Sequence, residues 1–279
     1  MNIIGLGDGG CRIAELFGEY PQYTIYKIDH GQKGKRCYDF PPCNSPEEYE
    51  TTKLPRIKTF FKDLEGDTLF VIVGGGQISC ASLRLMEMLK KNNLSVLYVR
   101  PDISLLNRED KMLDHITFNV LQQYARSGVF ETLYLTSNPV IDGIIGGAPI
   151  IGYYDKLNTQ LVSTFHMIQV FQHTPPVIGK LETPKETSRI VSIGMLDMVR
   201  NIENMFFYLD NVRERCYIYG INEDKLKSDD TLMRKITTQV RAKATEEAKI
   251  SYAVYPTDYS YDLCYVIDRT PHIQSGEKK

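Results

Sequence analysis

The chain of 279 residues is 42% hydrophobic and 24% charged, and its mean hydropathy is −0.27. Its 33 basic and 35 acidic residues give a net charge of −2, which does not favour a nucleic-acid or anionic-lipid partner. No apolar stretch approaches the ~20 residues of a membrane-spanning helix, and the N-terminus does not have the pattern of a signal peptide. These features predict a cytoplasmic globular protein with one large domain or two smaller ones.

Strand-like apolar runs alternate with helical periods through the first half of the chain. The runs lie at residues 2–6, 23–28, 68–73, 94–99 and 130–136. Helical patterns begin near Cys11 and recur at residues 81–91 and 110–127. Residues 30–53 contain several glycines and prolines without an apolar period, so they are predicted to form a long loop. The alternation predicts an α/β fold in which helices cover both faces of a parallel sheet.

The second half begins with a long helical period at residues 153–173, which Pro175 and Pro176 end. Beyond it, strands are predicted at residues 189–193, 215–219, 250–255 and 262–267, and helices at 196–209 and 232–249. The last two strands are joined by a short polar connection, which favours an antiparallel hairpin. We therefore predict a first domain at residues 1–152, a central helix at 153–175 and a smaller α+β domain at 176–279.

A glycine-rich turn follows the first predicted strand. Gly5, Gly7 and Gly10 satisfy the pattern G-x-G-x-x-G between a strand and a helix, where backbone N–H groups can approach phosphate oxygens. Asp29 ends the next strand, nineteen residues after Gly10, where a dinucleotide-binding domain holds a ribose. The pattern therefore predicts phosphate binding, with NAD as one ligand. The alternative is a turn whose glycines serve close packing alone.

A second glycine turn follows the strand at residues 68–73. Gly74, Gly75 and Gly76 would face the same end of the sheet as the first turn, so the two loops could clamp one polyphosphate. Here the sequence resembles the tubulin/FtsZ superfamily of filament-forming GTPases. GLGDGGCRIAE is similar to the first nucleotide loop of that superfamily, and VIVGGGQISC is similar to the start of its G-G-G-T-G-S/T-G signature.

The resemblance implies a set of nucleotide-binding residues in the two loops: Gly7, Asp8, Gly9, Gly10, Cys11, Gly74, Gly75, Gly76, Gln77 and Ser79. The segment at residues 153–163 resembles the start of the family's central helix, which implies that Tyr154 stacks on guanine and Asn158 reads its edge. The two positions share a helix face, and an amide both donates and accepts hydrogen bonds. Asn138 resembles the family's other base-contacting asparagine. The alternative for Tyr154 and Asn158 is an ordinary solvated first turn.

The second loop departs from the family signature after its third glycine. Gln77 and Ile78 replace a hydroxyl residue and a glycine, and Cys80 stands where the last glycine belongs. The branched side chain of Ile78 restricts the backbone and hinders close approach to phosphate. Asp8 would repel a triphosphate unless a Mg²⁺ ion lay between them, in which case Asp8 becomes a metal ligand.

The resemblance also implies an activating loop after the central helix, whose carboxylates polarise water in the neighbouring subunit's nucleotide site. The corresponding residues here are 179–187, in which the expected acids are replaced and no room remains for the helix that carries them. Glu182 and Glu186 are the candidate catalytic substitutes, and a solvated turn is the alternative. Little or no hydrolysis is expected.

Three functions remain open at this point. The first is a tubulin-like cytoskeletal protein that binds GTP or GDP, with Mg²⁺, and stacks head to tail with copies of itself. Its small size is typical of a phage- or plasmid-encoded form, which would act in the host cytoplasm. The second is a non-catalytic interaction protein of the same fold with little nucleotide binding. The third is an NAD-dependent oxidoreductase, which leaves the second glycine loop unexplained.

Overall fold

The computed structural model describes residues 1–276, which divide into two compact units within one long helix, α7 (Tyr153–Gln172). The first unit is Met1–Val162, and the second begins at Ser163. The three-part domain division predicted above stays a prediction, and its residues 277–279 lie outside the described chain. Among the helices that residues 1–276 form, none has the length and apolarity needed to span a membrane.

The first unit contains a parallel six-stranded sheet. Its strands are β1 (Asn2–Leu6), β2 (Thr24–Asp29), β3 (Cys37–Asp39), β4 (Thr68–Val73), β5 (Leu94–Arg100) and β6 (Thr132–Ser137). Their spatial order is β3-β2-β1-β4-β5-β6, and each adjacent pair is parallel. β4 is buried along nearly its whole length, which explains its unbroken apolar sequence TLFVIV.

Helices connect these strands, as the alternating pattern predicts. They are α1 (Gly7–Phe17), α2 (Pro46–Thr51), α3 (Ile57–Phe60), α4 (Ser82–Met88), α5 (Arg108–Arg126) and α6 (Asn138–Ile145). A short 3-10 turn at Gln77–Ala81 precedes α4. α1 begins four residues earlier than expected, because the glycines of the first loop form its first turn.

The prediction of a long loop at residues 30–53 is wrong in part. The segment contains β3 and α2, and the rings of Phe40 and Tyr49 are buried and stack with centroids 5.5 Å apart. Pro46 occupies the first turn of α2, where a missing N–H costs nothing. Prolines that indicate a loop in the sequence therefore mark the start of a short helix.

The second unit is built on a mixed sheet. Its strands are β7 (Ile178–Gly179), β8 (Ile190–Asp197), β9 (Ile202–Met205), β10 (Glu214–Asn222), β11 (Lys249–Thr257) and β12 (Leu263–Thr270). The order is β8-β12-β10-β11-β7, with β9 paired to β8; of these pairs as far as residue 276, β10 and β11 are parallel and the others antiparallel. Two helices, α8 (Glu223–Ser228) and α9 (Leu232–Ala242), connect β10 to β11.

Two sequence predictions for this unit are wrong. The helix expected at residues 196–209 is an antiparallel hairpin of β8 and β9. The Asp197 carboxylate accepts hydrogen bonds from the backbone N–H groups of Val199 and Arg200, and Asn201 adopts a positive φ of 56°. Aspartate and asparagine favour such a turn over a helix.

The hairpin expected between the last two strands is also wrong. β10 lies between β11 and β12, parallel to the first and antiparallel to the second. Tyr217, Ile218 and Tyr219 of β10 are fully buried, so this strand takes the central position. The predicted fold class is nevertheless confirmed: a mostly parallel sheet with covering helices, a long helix and a smaller α+β unit.

Candidate functional site

Both glycine loops lie at the point where the strand order of the first unit reverses. From β1 the chain moves to β2 and β3 on one side and then to β4, β5 and β6 on the other. Loops that leave neighbouring strands in opposite directions open a crevice at the carboxyl edge of a parallel sheet. The loops after β1 and β4 border this crevice, as the sequence predicts for a shared ligand site.

Three glycines of the first loop are required by packing of α1. A Cβ on Gly5 would lie 2.4 Å from the Gly10 carbonyl oxygen, and a Cβ on Gly10 would lie 2.7 Å from the Val71 carbonyl oxygen. A Cβ on Gly9 would lie 2.9 Å from Val73 Cγ2. The packing explanation therefore accounts for the absence of side chains at these positions, whatever their N–H groups bind.

Gly7 joins the two loops. Its φ of +71° favours glycine, and a Cβ there would lie 2.7 Å from Ile78 Cγ2. The side chain of Ile78, predicted to hinder phosphate in the second loop, therefore also lies against Gly7 of the first loop. A nucleotide would have to approach beside this side chain.

Asp8 is exposed and forms an ion pair with Arg12. The Nε atom of Arg12 donates to both carboxylate oxygens at 3.0 Å. This hydrogen bond and the negative charge raise the pKa of Arg12, and Asp155 at the start of α7 adds to the effect. Asp155 therefore lies within electrostatic reach of the Arg12 guanidinium group.

The described residues 1–276 contain no cluster of three or more His, Cys, Asp or Glu side chains arranged to hold a metal. Asp8 nonetheless fits the role of a single carboxylate ligand, because Mg²⁺ commonly binds one or two carboxylates beside substrate phosphates. Asp8 would first have to release Arg12.

Cys11 faces the sheet. Its Sγ atom donates to the carbonyl oxygens of Gly5 and Ile28, at 3.4 Å and 3.8 Å. Burial raises the pKa of Cys11 to about 12, so its thiol stays protonated. Only the backbone of Cys11 is available to a nucleotide.

In the second loop, Ser79 is turned inward. Its Oγ atom is buried and donates to the Gly76 carbonyl oxygen at 2.5 Å, while Gln77 opens the 3-10 turn. Gly75 has a positive φ of +81°. Gly76 differs from its neighbours, because its φ of −84° suits any residue and nothing lies within 4 Å of the position of a Cβ. It is the glycine of this loop whose lack of a side chain the fold itself does not require.

The loop rests on a polar network that the sequence analysis missed. A Cβ on Gly74 would lie 2.2 Å from Tyr98 Oη and 2.3 Å from Asp114 Oδ1. These two atoms are themselves hydrogen-bonded at 2.6 Å. The sequence does contain one indication of this network. Asp114 is a charged residue on the buried face of α5, which also includes Leu113, Phe118 and Leu121.

The two residues predicted to bind guanine share one face at the start of α7. Tyr154 is 57% exposed and its ring lies edge-on to Tyr153. Asn158 is only 6% exposed, and the described residues provide its amide with no hydrogen-bond partner. Its polar atoms retain access to solvent. Asn138, the other predicted base contact, is the first residue of α6, directly after β6.

Glu182 and Glu186 lie in the second unit, between β7 and β8. Residues 180–189 form no helix, as the sequence predicts. Glu182 accepts a hydrogen bond from the Lys249 ammonium group, and this contact lowers the pKa of Glu182. Glu186 is exposed in a turn. One candidate carboxylate is thus neutralised by a lysine, and the other is solvated.

Asp29, the residue on which the NAD alternative depends, is engaged locally. Its Oδ1 atom accepts a hydrogen bond from the backbone N–H of His30 at 2.8 Å. One carboxylate oxygen therefore holds the turn after β2. An NAD-dependent oxidoreductase would leave the second glycine loop and the start of α7 without a role.

Comparison with known proteins identifies structural neighbours. An empty FtsZ dimer from M. jannaschii matches with a TM-score of 0.68 and 11% identity, over 96% of this chain and 87% of that one. A GTPγS-form protofilament of TubZ from Bacillus thuringiensis serovar israelensis matches with a TM-score of 0.69 and 14% identity, over 96% and 87%. GDP-bound monomeric CetZ1 from Haloferax volcanii matches with a TM-score of 0.68 and 12% identity, over 97% and 94%.

No protein-family model and no curated protein matches the chain. At such low identities the likeness concerns the backbone arrangement, and it extends over nearly the whole chain. The resemblance predicted from short sequence motifs is confirmed at this level: the chain has the fold shared by FtsZ, TubZ and CetZ1, which is the tubulin/FtsZ fold.

Proposed function

We propose that this chain is a tubulin-like cytoskeletal protein that binds guanine nucleotide in its first unit and assembles head to tail, with little or no hydrolysis. Nucleotide binding is supported above all by the unpartnered side-chain amide of Asn158. The described residues give its amide no hydrogen-bond partner, its polar atoms retain access to solvent, and guanine offers both a donor and an acceptor to such a group. The exposed ring of Tyr154, one turn earlier, provides a stacking surface.

The crevice supports the same ligand. Two strand–loop–helix turns meet through Gly7 and Ile78, and the start of α7 lies close enough to α1 for Asp155 to act on Arg12. A nucleotide whose phosphates contact the loops could therefore reach Tyr154 and Asn158 with its base. When bound, Mg²⁺ would neutralise phosphate charge, with Asp8 as the protein's ligand.

Assembly is supported by an exposed apolar loop between α6 and α7. Ile150 and Ile151 are 96% and 94% exposed, and they follow Pro149 directly. Two adjacent isoleucines in water are unfavourable, since burying each would gain roughly 1.5–3 kcal/mol. Two of the structural neighbours are a dimer and a protofilament. A head-to-tail contact that does not close propagates a filament.

The proposal of weak hydrolysis is supported by the state of residues 179–187. Activation of water needs a free, oriented carboxylate, and Glu182 is held by Lys249 while Glu186 is exposed to solvent. The phage or plasmid origin and the cytoplasmic location remain predictions.

A second function is favoured by two observations. Ile78 covers Gly7, and Asp8 is occupied by Arg12, so the phosphate end of the crevice is partly obstructed. An interaction protein of the same fold, with weak nucleotide binding or none, would tolerate both features.

Calorimetric titration with GTP, ATP and NAD tests these alternatives. We expect GTP to bind most tightly, and Asn158→Ala to lower GTP affinity at least about tenfold while ATP affinity changes little. Thr159→Ala, an exposed neighbour on the same helix, is the control. Equal losses for GTP and ATP would remove the base-reading role, and tightest binding of NAD would overturn the proposal. No binding of any nucleotide would favour the interaction protein.

A further inference from the structure

A buried polar network lies directly beneath the second glycine loop. Tyr98 of β5 donates to Asp114 Oδ1 of α5 at 2.6 Å, and Arg100 Nε donates to Asp114 Oδ2 at 3.1 Å. The guanidinium group of Arg100 also lies 4.6 Å from the centroid of the Phe118 ring. All four side chains are almost completely buried. The network therefore links the end of β5 to the middle of α5.

The network is in steric contact with the loop. The Tyr98 hydroxyl and the Asp114 carboxylate face Gly74 so closely that even a methyl group there would overlap both. The backbone N–H of Gly74 donates to the Val99 carbonyl oxygen at 3.0 Å, between Tyr98 and Arg100 in the chain. The next residue, Gly75, is flanked by Leu106, whose Cδ1 atom would lie 3.0 Å from a Cβ on that glycine. Gly74 is thus confined by Tyr98 and Asp114, and Gly75 is confined by Leu106.

The open side of the loop begins one residue later, at Gly76, where no atom lies within 4 Å of the position of a Cβ. The network confines Gly74, and Leu106 confines Gly75, so together they set the direction in which Gly76 presents its backbone. Burial and the adjacent Asp114 charge raise the pKa of Tyr98 well above its usual value, so its hydroxyl remains a donor at any ordinary pH.

We propose that Asp114, held by Tyr98 and Arg100, is a positioning residue that fixes the second glycine loop for contact with the nucleotide's phosphates. This inference rests on the proposed function, since it concerns the same site. Asp114 is not proposed to contact the ligand. Asp114 acts through Gly74, so its loss should weaken binding of the phosphates without weakening binding of the base.

The test removes one hydroxyl without changing the packing volume. Tyr98→Phe should lower the affinity for GTP and GDP about tenfold, while the affinity for guanosine, which has no phosphate, stays unchanged. Guanosine binding is measured by competition against a fluorescent GTP analogue. Arg100→Lys, which keeps the charge but alters the hydrogen bond to Asp114, is a second variant with the same expected pattern.

Tyr219→Phe is the matched control. Tyr219 is a fully buried tyrosine in the second unit, and its hydroxyl donates to Gln239 Oε1 at 3.1 Å. Tyr219→Phe loses one hydrogen bond of a buried tyrosine, as Tyr98→Phe does. Tyr219 lies far from the second glycine loop in the sequence. We expect it to lower the unfolding temperature and leave GTP, GDP and guanosine affinities unchanged.

A second measurement needs no nucleotide. Amide hydrogen exchange of residues 74–79 in the free protein should be faster in Tyr98→Phe than in the wild type or Tyr219→Phe. Unchanged exchange would overturn the inference, as would equal losses for GTP and guanosine. If the wild type binds no GTP at all, the proposed function fails, while the exchange result still decides whether the network positions the loop.

Discussion

Gly76 is the residue at which the needs of the fold and of a ligand can be separated. Gly9→Val would disturb the packing of Val73 and so could not report on phosphate binding alone. Gly76→Val meets no neighbour and requires no unusual φ. We expect it to lower GTP affinity at least about tenfold with little change in the unfolding temperature, because only a bound phosphate would meet the new side chain.

Gly143→Val is the control for this substitution. Gly143 lies in α6, also with nothing within 4 Å of a Cβ and with no positive φ. Titration calorimetry and thermal unfolding of both variants provide the comparison. Unchanged GTP affinity in a folded Gly76→Val protein would remove the second loop from the phosphate site.

His166 of α7 predicts how stability depends on pH. Burial lowers its pKa, so the folded chain binds this proton less readily than the unfolded chain does. The free energy of unfolding is therefore undiminished above the unfolded histidine pKa of about 6.5 and falls as the pH drops below it. Urea unfolding at pH 7.5 and 5.5 should show a smaller acid loss for His166→Gln than for the wild type. An equal loss in both would contradict the assignment.

At the scale of elements, the segment between β7 and β8 decides the prediction for hydrolysis. Because Lys249 neutralises Glu182 and water surrounds Glu186, we expect very slow phosphate release in the assembled protein. Neither Glu182→Ala nor Glu186→Ala should change it. Release is measured over a range of protein concentrations with GTP. A rate that rises with concentration and disappears in either variant would show that the acid acts across a subunit contact.

The elements also show what the sequence can predict. Five of the six strands of the first unit, all except β3, and the long helix α7 follow from apolar runs and periods in the sequence. The β8–β9 hairpin is not apparent from the apolar pattern, because its turn depends on two hydrogen bonds to the Asp197 carboxylate and on the positive φ of Asn201. The central position of β10 depends on pairing between distant strands, which no local pattern specifies.

The candidate site divides in the same way. Glycine spacing after β1 and β4 predicts two loops at one edge, because parallel strands all end on the same side. It does not tell which glycines serve packing and which leave open space, since this depends on Val71, Val73 and Tyr98 from other strands. The role of Asp114 could not be predicted from the sequence for the same reason, because its partners Tyr98 and Arg100 belong to another element.

For the molecule as a whole, the exposed isoleucines predict where assembly is sensitive. Ile150→Ser with Ile151→Ser should raise the critical concentration for assembly at least about tenfold, because both side chains lose the gain of burial in a neighbouring copy. Nucleotide affinity and the unfolding temperature should stay unchanged. Sedimentation of the protein with GTP and GTPγS measures the effect.

Met112→Ser with Ile116→Ser is the control pair for assembly. These residues are also more than half exposed, but they lie on the outer face of α5. We expect this variant to assemble as the wild type does. Loss of assembly in both pairs, or in neither, would refute a specific role for the loop before α7.

The sheet of the second unit has a consequence for how the protein is made. β12 lies between β8 and β10, both of which leave the ribosome before it. Until Leu263–Thr270 has emerged, β8 and β10 each have an unpaired edge facing the gap. A nascent or prematurely terminated chain therefore cannot complete this unit. Such fragments should be cleared by proteases or bound by chaperones, so chains truncated before β12 should not accumulate in a folded form.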